Sequence, residues 1–319
     1  EMWRLEGSFI SLRGRKRPKK PSLISSLHLS LLLFLILLVI DINLRLRNNY
    51  VNIKSEYSAK SNRRWLVFPN HITTIFINLG SNVDPILPPV KYSKNSLTLA
   101  FEPLVSCQIR PHPLLRVIPS AVSTEAGITT MYYYNQKGES SSLSRVLPSH
   151  ESFWNSGRKE DGEVHIVPTV SLRHILDAIP PSIVRIPYMK TDLQGHDWAV
   201  VSDAKEALSR RPVDYLYTEV HFDHDTSYEG VHNDFCREWW PSMGQLGYDL
   251  VYLERPGGYG NLSDYRLTPT IASAMCSPQQ AKTQQPAFSL LDLFPKEGNA
   301  LWKRKGAVAE EFNFTELPK

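Results

Sequence analysis

The sequence predicts an α/β fold, a Rossmann-like and mostly parallel sheet with helices on both faces, preceded by one N-terminal transmembrane helix. Three observations predict it. From residue 75 to residue 253, short β-branched and aromatic runs alternate with amphipathic stretches, the strand, helix, strand order of a covered parallel sheet. The first two runs end in a glycine turn and in an acidic residue, as ligand-binding ends of such sheets do. Residues 23–40 form a long apolar stretch behind a basic cluster.

The 319 residues have room for one sizeable α/β domain with appendages, and 42% hydrophobic with 21% charged residues is a globular composition, not a disordered one. The net charge of +4 is outweighed by Arg13, Arg15, Lys16, Arg17, Lys19 and Lys20 alone. The remainder is near neutral, which excludes a nucleic-acid groove. We divide the chain into a basic tail (1–21), a transmembrane signal anchor (22–41), a stem (42–64), the Rossmann-like domain (65–280) and a C-terminal tail (281–319) without a clear core element. The basic flank places the N-terminus in the cytosol and the domain in a lumenal or extracellular space. A cleaved signal peptide is the competing reading, but no small-residue cleavage pattern follows the apolar run. Three cysteines, Cys107, Cys236 and Cys276, are an odd number without paired metal spacing and allow at most one bridge. The sequons at Asn261 and Asn313 fit a lumenal domain.

The elements follow in order. Residues 75–77 are the first strand, stopped by the turn Asn78 to Asn82 around Gly80. Residues 97–101 form the second, closed by Glu102-Pro103. Residues 115–122 are the third, part of which Pro119 demotes toward an edge. A further strand is expected at 131–134, and 138–144 and 149–163 read as loops. Residues 171–178 form a short helix ended by Pro180-Pro181. A strand at 184–189 leads through the turn 190–195 into a helix at 197–209 with Trp198, Val201, Ala204 and Leu208 on one face. A strand at 213–220, a helix at 235–246 and a strand at 248–253 complete the series.

Ligands in such sheets lie outside the carboxyl ends of the strands, and four places there carry suitable residues. The turn with Asn78, Gly80 and Asn82 lets backbone approach a ligand. Glu102, about 20 residues on, can accept both hydroxyls of a ribose, a pairing shared with nicotinamide-dependent Rossmann enzymes. Lys190-Thr191-Asp192 is followed by Gly195, His196 and Asp197. Glu219 and His221 share one side of a strand. Either His196 or His221 can take a proton from a hydroxyl nucleophile. Ligands as closely spaced as His221, Asp223, His224 and Asp225 need a turn to converge, and no distant partner is evident, so no metal is expected.

Six short motifs in order resemble the FkbM-type S-adenosylmethionine-dependent methyltransferases. They are Ile77 to Asn82, Ala100-Phe101-Glu102-Pro103, Ala121-Val122-Ser123, Ser141-Ser142-Leu143, Val170-Ser171-Leu172 and Lys190-Thr191-Asp192-Leu193-Gln194-Gly195. The resemblance covers roughly residues 70–220 and implies the class I methyltransferase fold with S-adenosylmethionine as cofactor. It implies that Asn78, Gly80 and Asn82 approach the methionine portion, that Glu102 holds the ribose, that Val122 and Ser123 lie beside the adenine, and that Asp192 sits near the transferred methyl. Asn78 stands where the family has an acidic residue, and Val83-Asp84 replaces a glycine. The implied acceptor is a hydroxyl of a sugar, glycan or small metabolite. The catalytic candidates are Asp192, His196 and His221. A membrane-tethered binding protein on the same fold is the non-enzymatic alternative.

Overall fold

The structure, a computed structural model, describes residues 65–83, 85–104, 109–134, 141–147, 163–222, 228–254, 266–276 and 297–308. The expected anchor and stem, both sequons, Cys107, Asp84 and Asp223 to Asp225 lie outside these residues. Among the described residues no helix is long and apolar enough to cross a membrane.

The strands are β1 (Thr74–Leu79), β2 (Ser96–Phe101), β3 (Leu115–Ile118), β4 (Ala121–Ser123), β5 (Gly127–Tyr133), β6 (Glu163–Ser171), β7 (Arg185–Thr191), β8 (Val213–His221), β9 (Tyr248–Glu254), β10 (Arg266–Leu267) and β11 (Glu297–Arg304). An eight-stranded sheet runs β10-β9-β11-β8-β7-β1-β2-β3, and a three-stranded one runs β4-β6-β5. Pairs from β3 through β8 are parallel; β11 is antiparallel to both β8 and β9. This is the methyltransferase-like α/β arrangement, with a mixed rather than wholly parallel sheet.

Several expectations are corrected. Residues 115–122 split after Ile118, because Pro119 cannot continue the ladder, and β4 leaves for the small sheet. Its centre, β6, was hidden by Pro168. That residue is tolerated because β4 pairs only with Thr169 to Ser171, so Pro168 lacks a strand neighbour on one side. The segment beyond 280 is not without core: β11 fills the gap between β8 and β9 and buries Trp302 (1% exposed). Only Ala300-Leu301-Trp302 is apolar in that strand, too short a run to signal a central position.

The helices are α1 (Leu172–Ala178), α2 (Asp197–Asp203), α3 (Lys205–Arg210), α4 (Trp240–Met243) and α5 (Pro269–Met275). Ser171 caps α1 by accepting the His174 N–H at 3.3 Å. The single helix expected at 197–209 bends at Ala204, which still links both halves through the bonds Ala204 N–H to Val200 O and Leu208 N–H to Ala204 O. Residues 235–246 form a π-helical turn, Phe235–Trp239, before α4, where Pro241 sits in the first turn and needs no partner for a missing N–H. Cys236 and Cys276 are bonded, tying that turn to the end of α5.

Helices were expected on both faces. Among the described residues, the buried apolar side chains of the α-helices all join one cluster with Ile75, Ile77, Leu79, Leu97, Leu99 and Phe101. The opposite face carries Phe76, Tyr188, Tyr215 and Leu301, covered by Ile86 and Tyr92 of the β1–β2 connection. Right-handed crossovers would bring helices here from the β1–β2 and β2–β3 connections. Among the described residues of these connections the one helical element is the 3₁₀ turn Val90–Tyr92; Pro85, Pro88 and Pro89 in the first, and Pro103, Pro111 and Pro113 in the second, disfavour an α-helix there.

Candidate active site

The carboxyl ends of β1, β2 and β7 open on a cleft, to which the small sheet and residues 141–143 add a wall. It encloses about 570 Å³ of space including its open mouth.

Its floor is the turn after β1. Gly80 has φ +70°, and a Cβ there would lie 1.9 Å from the Asp192 carbonyl oxygen, so the glycine is required by the neighbouring turn as well as by its own conformation. Gly80 N–H donates to Phe101 O and Asp192 N–H donates to Leu79 O, which ties the ends of the three strands together. Asn82, also at positive φ (45°), donates its N–H to Glu102 Oε2 at 2.7 Å. Leu104 N–H donates to Glu102 Oε1 at 3.0 Å. Burial pushes the Glu102 carboxyl above its ordinary value, while these two N–H bonds oppose the shift.

Gly80, Asn82, Glu102, Val122 and Asp192 line the cleft; Asn78, Ser123, His196 and His221 do not. Asn78 is fully buried, and its Oδ1 accepts the Ile86 N–H at 2.9 Å, pinning the β1–β2 connection across the helix-free face. His196 starts α2; burial lowers its pKa to about 4 and keeps the imidazole neutral. His221 ends β8, 3% exposed, its Nε2 4.0 Å from Glu219 Oε2.

Asp192 is held from two sides. Lys190 Nζ lies 3.1 Å from Oδ2, and Gln194 Nε2 donates to Oδ1 at 2.9 Å. Gln194, which was not among the expected site residues, is the hub of the polar end. Its carbonyl accepts from Ser142 Oγ (2.9 Å), its Oε1 accepts from Tyr228 OH (2.6 Å), and its Nε2 reaches Glu219 Oε1 at 3.5 Å. Its one sequence signal is its place inside the Lys190 to Gly195 turn. Gly195 (φ +94°) is needed there because a Cβ would meet the Tyr228 ring at 2.8 Å.

The cleft therefore has an apolar end at Phe101, Pro103, Ala121, Val122, Met131 and Leu143, and a polar end at Asp192 and Gln194, with Glu102 in the same lining. Glu102 keeps acceptor capacity, since each oxygen receives one backbone N–H and has a second lone pair. Such a set fits a nucleoside-bearing cofactor: apolar side chains for a base, a carboxylate for ribose hydroxyls, and polar groups for a charged remainder.

Comparison with known proteins agrees with this chemistry. No curated protein is significantly similar to the chain. A crystal structure described as a candidate S-adenosylmethionine-dependent methyltransferase from Listeria monocytogenes aligns over 75% of this chain and 94% of its own, at 7% identity and a TM-score of 0.31, too distant to carry weight. The profile of the methyltransferase FkbM domain matches residues 86–250, more than half of the sequence and most of the strands that build the cleft. By that match the chain belongs to the FkbM methyltransferase family, whose members use S-adenosylmethionine.

Proposed function

We propose that the chain transfers a methyl group from S-adenosylmethionine to a hydroxyl of a sugar, a glycan or another small metabolite. The observation that carries this reading is Glu102, a buried carboxylate at a strand end inside the cleft, held by two backbone N–H groups and with lone pairs to spare. S-adenosylmethionine would supply an electrophilic methyl on a sulfonium. The chain's part is chiefly alignment, which can contribute about 7–11 kcal/mol of a barrier. Glu102 would hold the ribose, Val122 and its apolar neighbours the adenine, and the Gly80 turn with Asp192 the methionine end. Asp192 offers an acceptor for the proton of the hydroxyl; His221 lies behind Gln194 and Glu219, outside the lining. Neutral His196 lies outside the lining.

The test is calorimetric titration of the purified protein with S-adenosylmethionine, with NAD as control, and of a Glu102→Ala variant. Hydrogen bonds to charged groups contribute about 1.5–3 kcal/mol, so losing the ribose contacts weakens binding by about 10- to 100-fold. Equal affinity in the variant would remove Glu102 from the site. Saturable binding of NAD alone would make the chain a nicotinamide enzyme, and binding of neither would favour a tethered binding protein.

We also infer that residues 22–41 anchor the chain with the catalytic domain in a lumenal or extracellular space. The basic flank supports this orientation. So does the Cys236–Cys276 bond, a linkage kept in oxidising compartments. Protease protection of residues 65–319 in sealed microsomes is the expected result; digestion without detergent reverses the topology.

A further inference from the structure

We propose that Glu219, His221 and Glu297 form a binding site for one divalent cation, of the Mn²⁺ type, beside the polar end of the cleft. Glu219 and His221 stand two residues apart on β8 and so project to the same side of the strand. Glu297 is the register partner of His221 on antiparallel β11. One donor atom from each lies within 4.8 Å of the others. All three donors thus come from two hydrogen-bonded strands, a backbone already fixed before any ion arrives. The sequence showed no distant partner for His221; β11 supplies one.

Glu219 Oε2 is buried and accepts no hydrogen bond. It faces His221 Nε2 at 4.0 Å, too long for a hydrogen bond. Two ligands each about 2.1 Å from one ion stand about 3–4 Å apart, so a small contraction around a cation satisfies both. Glu219 Oε2, withdrawn from water and unbonded, needs a partner, and a divalent ion is the compact one that also reaches His221 and Glu297. Two carboxylates and one imidazole, without a thiolate, suit an ion of hard to intermediate character.

The position gives the ion a task, and this part rests on the methyl-transfer reading. Glu219 Oε1 contacts Gln194, which lines the cleft and donates to Asp192. A cation there would fix Glu219 and, through the Gln194 amide, the orientation of Asp192 toward the acceptor hydroxyl, the orienting role of groups around a metal.

The experiment is an electron paramagnetic resonance titration of the EDTA-stripped full chain with Mn²⁺ at neutral pH, alongside a Glu297→Gln variant. One saturable equivalent is expected in the native chain, at least tenfold weaker in the variant. The metal-free melting temperature of the variant shows that it folds. No saturable binding to the native chain, or equal binding by a folded variant, overturns the site. S-adenosylmethionine is titrated separately in EDTA. Mn²⁺ binding without cofactor binding sinks the methyl-transfer reading and keeps the cation site; cofactor binding without Mn²⁺ binding does the reverse.

Discussion

Asp197 is fully buried, and both of its oxygens accept the Leu193 N–H at 3.2 Å, so its carboxyl holds the turn that carries Asp192 and Gln194. Burial first, then the charge of Asp192, pushes its pKa up to about 7. The unfolded chain releases this proton near the ordinary value of about 3.9. Between those two values the folded state binds the extra proton. The stability it confers is complete below about pH 4 and is lost as pH rises through about 7. Asp197→Asn keeps an acceptor for Leu193 and removes the ionisation. Urea midpoints of the variant relative to the native chain should therefore climb from pH 4 to 7 and level off above; parallel curves would show that Asp197 ionises freely. Residues of this kind differ in how far the sequence announces them. Gly80 and Glu102 are legible because one turn and one strand end define each. Gln194 and Glu297 are not, because their roles arise only when β7, β8 and β11 are side by side.

Among the elements, the π-helical turn and α5 are the pair whose connection is covalent. The Cys236–Cys276 bond spans 40 residues of sequence. Closing a loop of that length removes about 4 kcal/mol of unfolded-chain entropy in the simplest account. We expect Cys276→Ser to lower the unfolding free energy by about 2–4 kcal/mol in urea, and reductant to lower the native chain to the same level without moving the variant. A change below about 0.5 kcal/mol in the variant would mean that the bond closes no freedom the fold had not already lost. Neither cysteine announced its partner, since an odd count leaves three pairings open. The strands β1, β2, β7, β8 and β9 were legible because each is a buried apolar run bounded by turn residues. β6 and β11 were not. Pro168 breaks the first pattern, and in the second Asn299, Lys303 and Arg304 surround a three-residue apolar centre whose importance comes from the strands on either side.

At the scale of the whole molecule, two helical layers were expected and, among the described residues, one is present. The described helices pack into a single deep cluster, while the opposite face is closed by aromatic side chains and the β1–β2 connection. This asymmetry has an energetic consequence. Trp302 of β11 lies at the centre of the helical side, 6.3 Å from the Trp239 ring and 6.0 Å from Phe235, its Nε1–H donating to Thr218 Oγ1 at 3.3 Å. Tyr252, one strand over on the other face, is half-buried, with the Arg266 guanidinium 4.3 Å from its ring centre. Truncating a buried aromatic side chain costs about 3–5 kcal/mol, because the cavity left behind adds to the lost transfer energy. A half-exposed ring over which solvent can close leaves no such cavity, and a cost of about 1 kcal/mol is the expectation. Urea unfolding of Trp302→Ala and Tyr252→Ala should therefore differ by at least about 2 kcal/mol, with Trp302 the costlier. Comparable losses would mean that the tyrosine face is packed as deeply as the helical one, and that something beyond the described residues covers it.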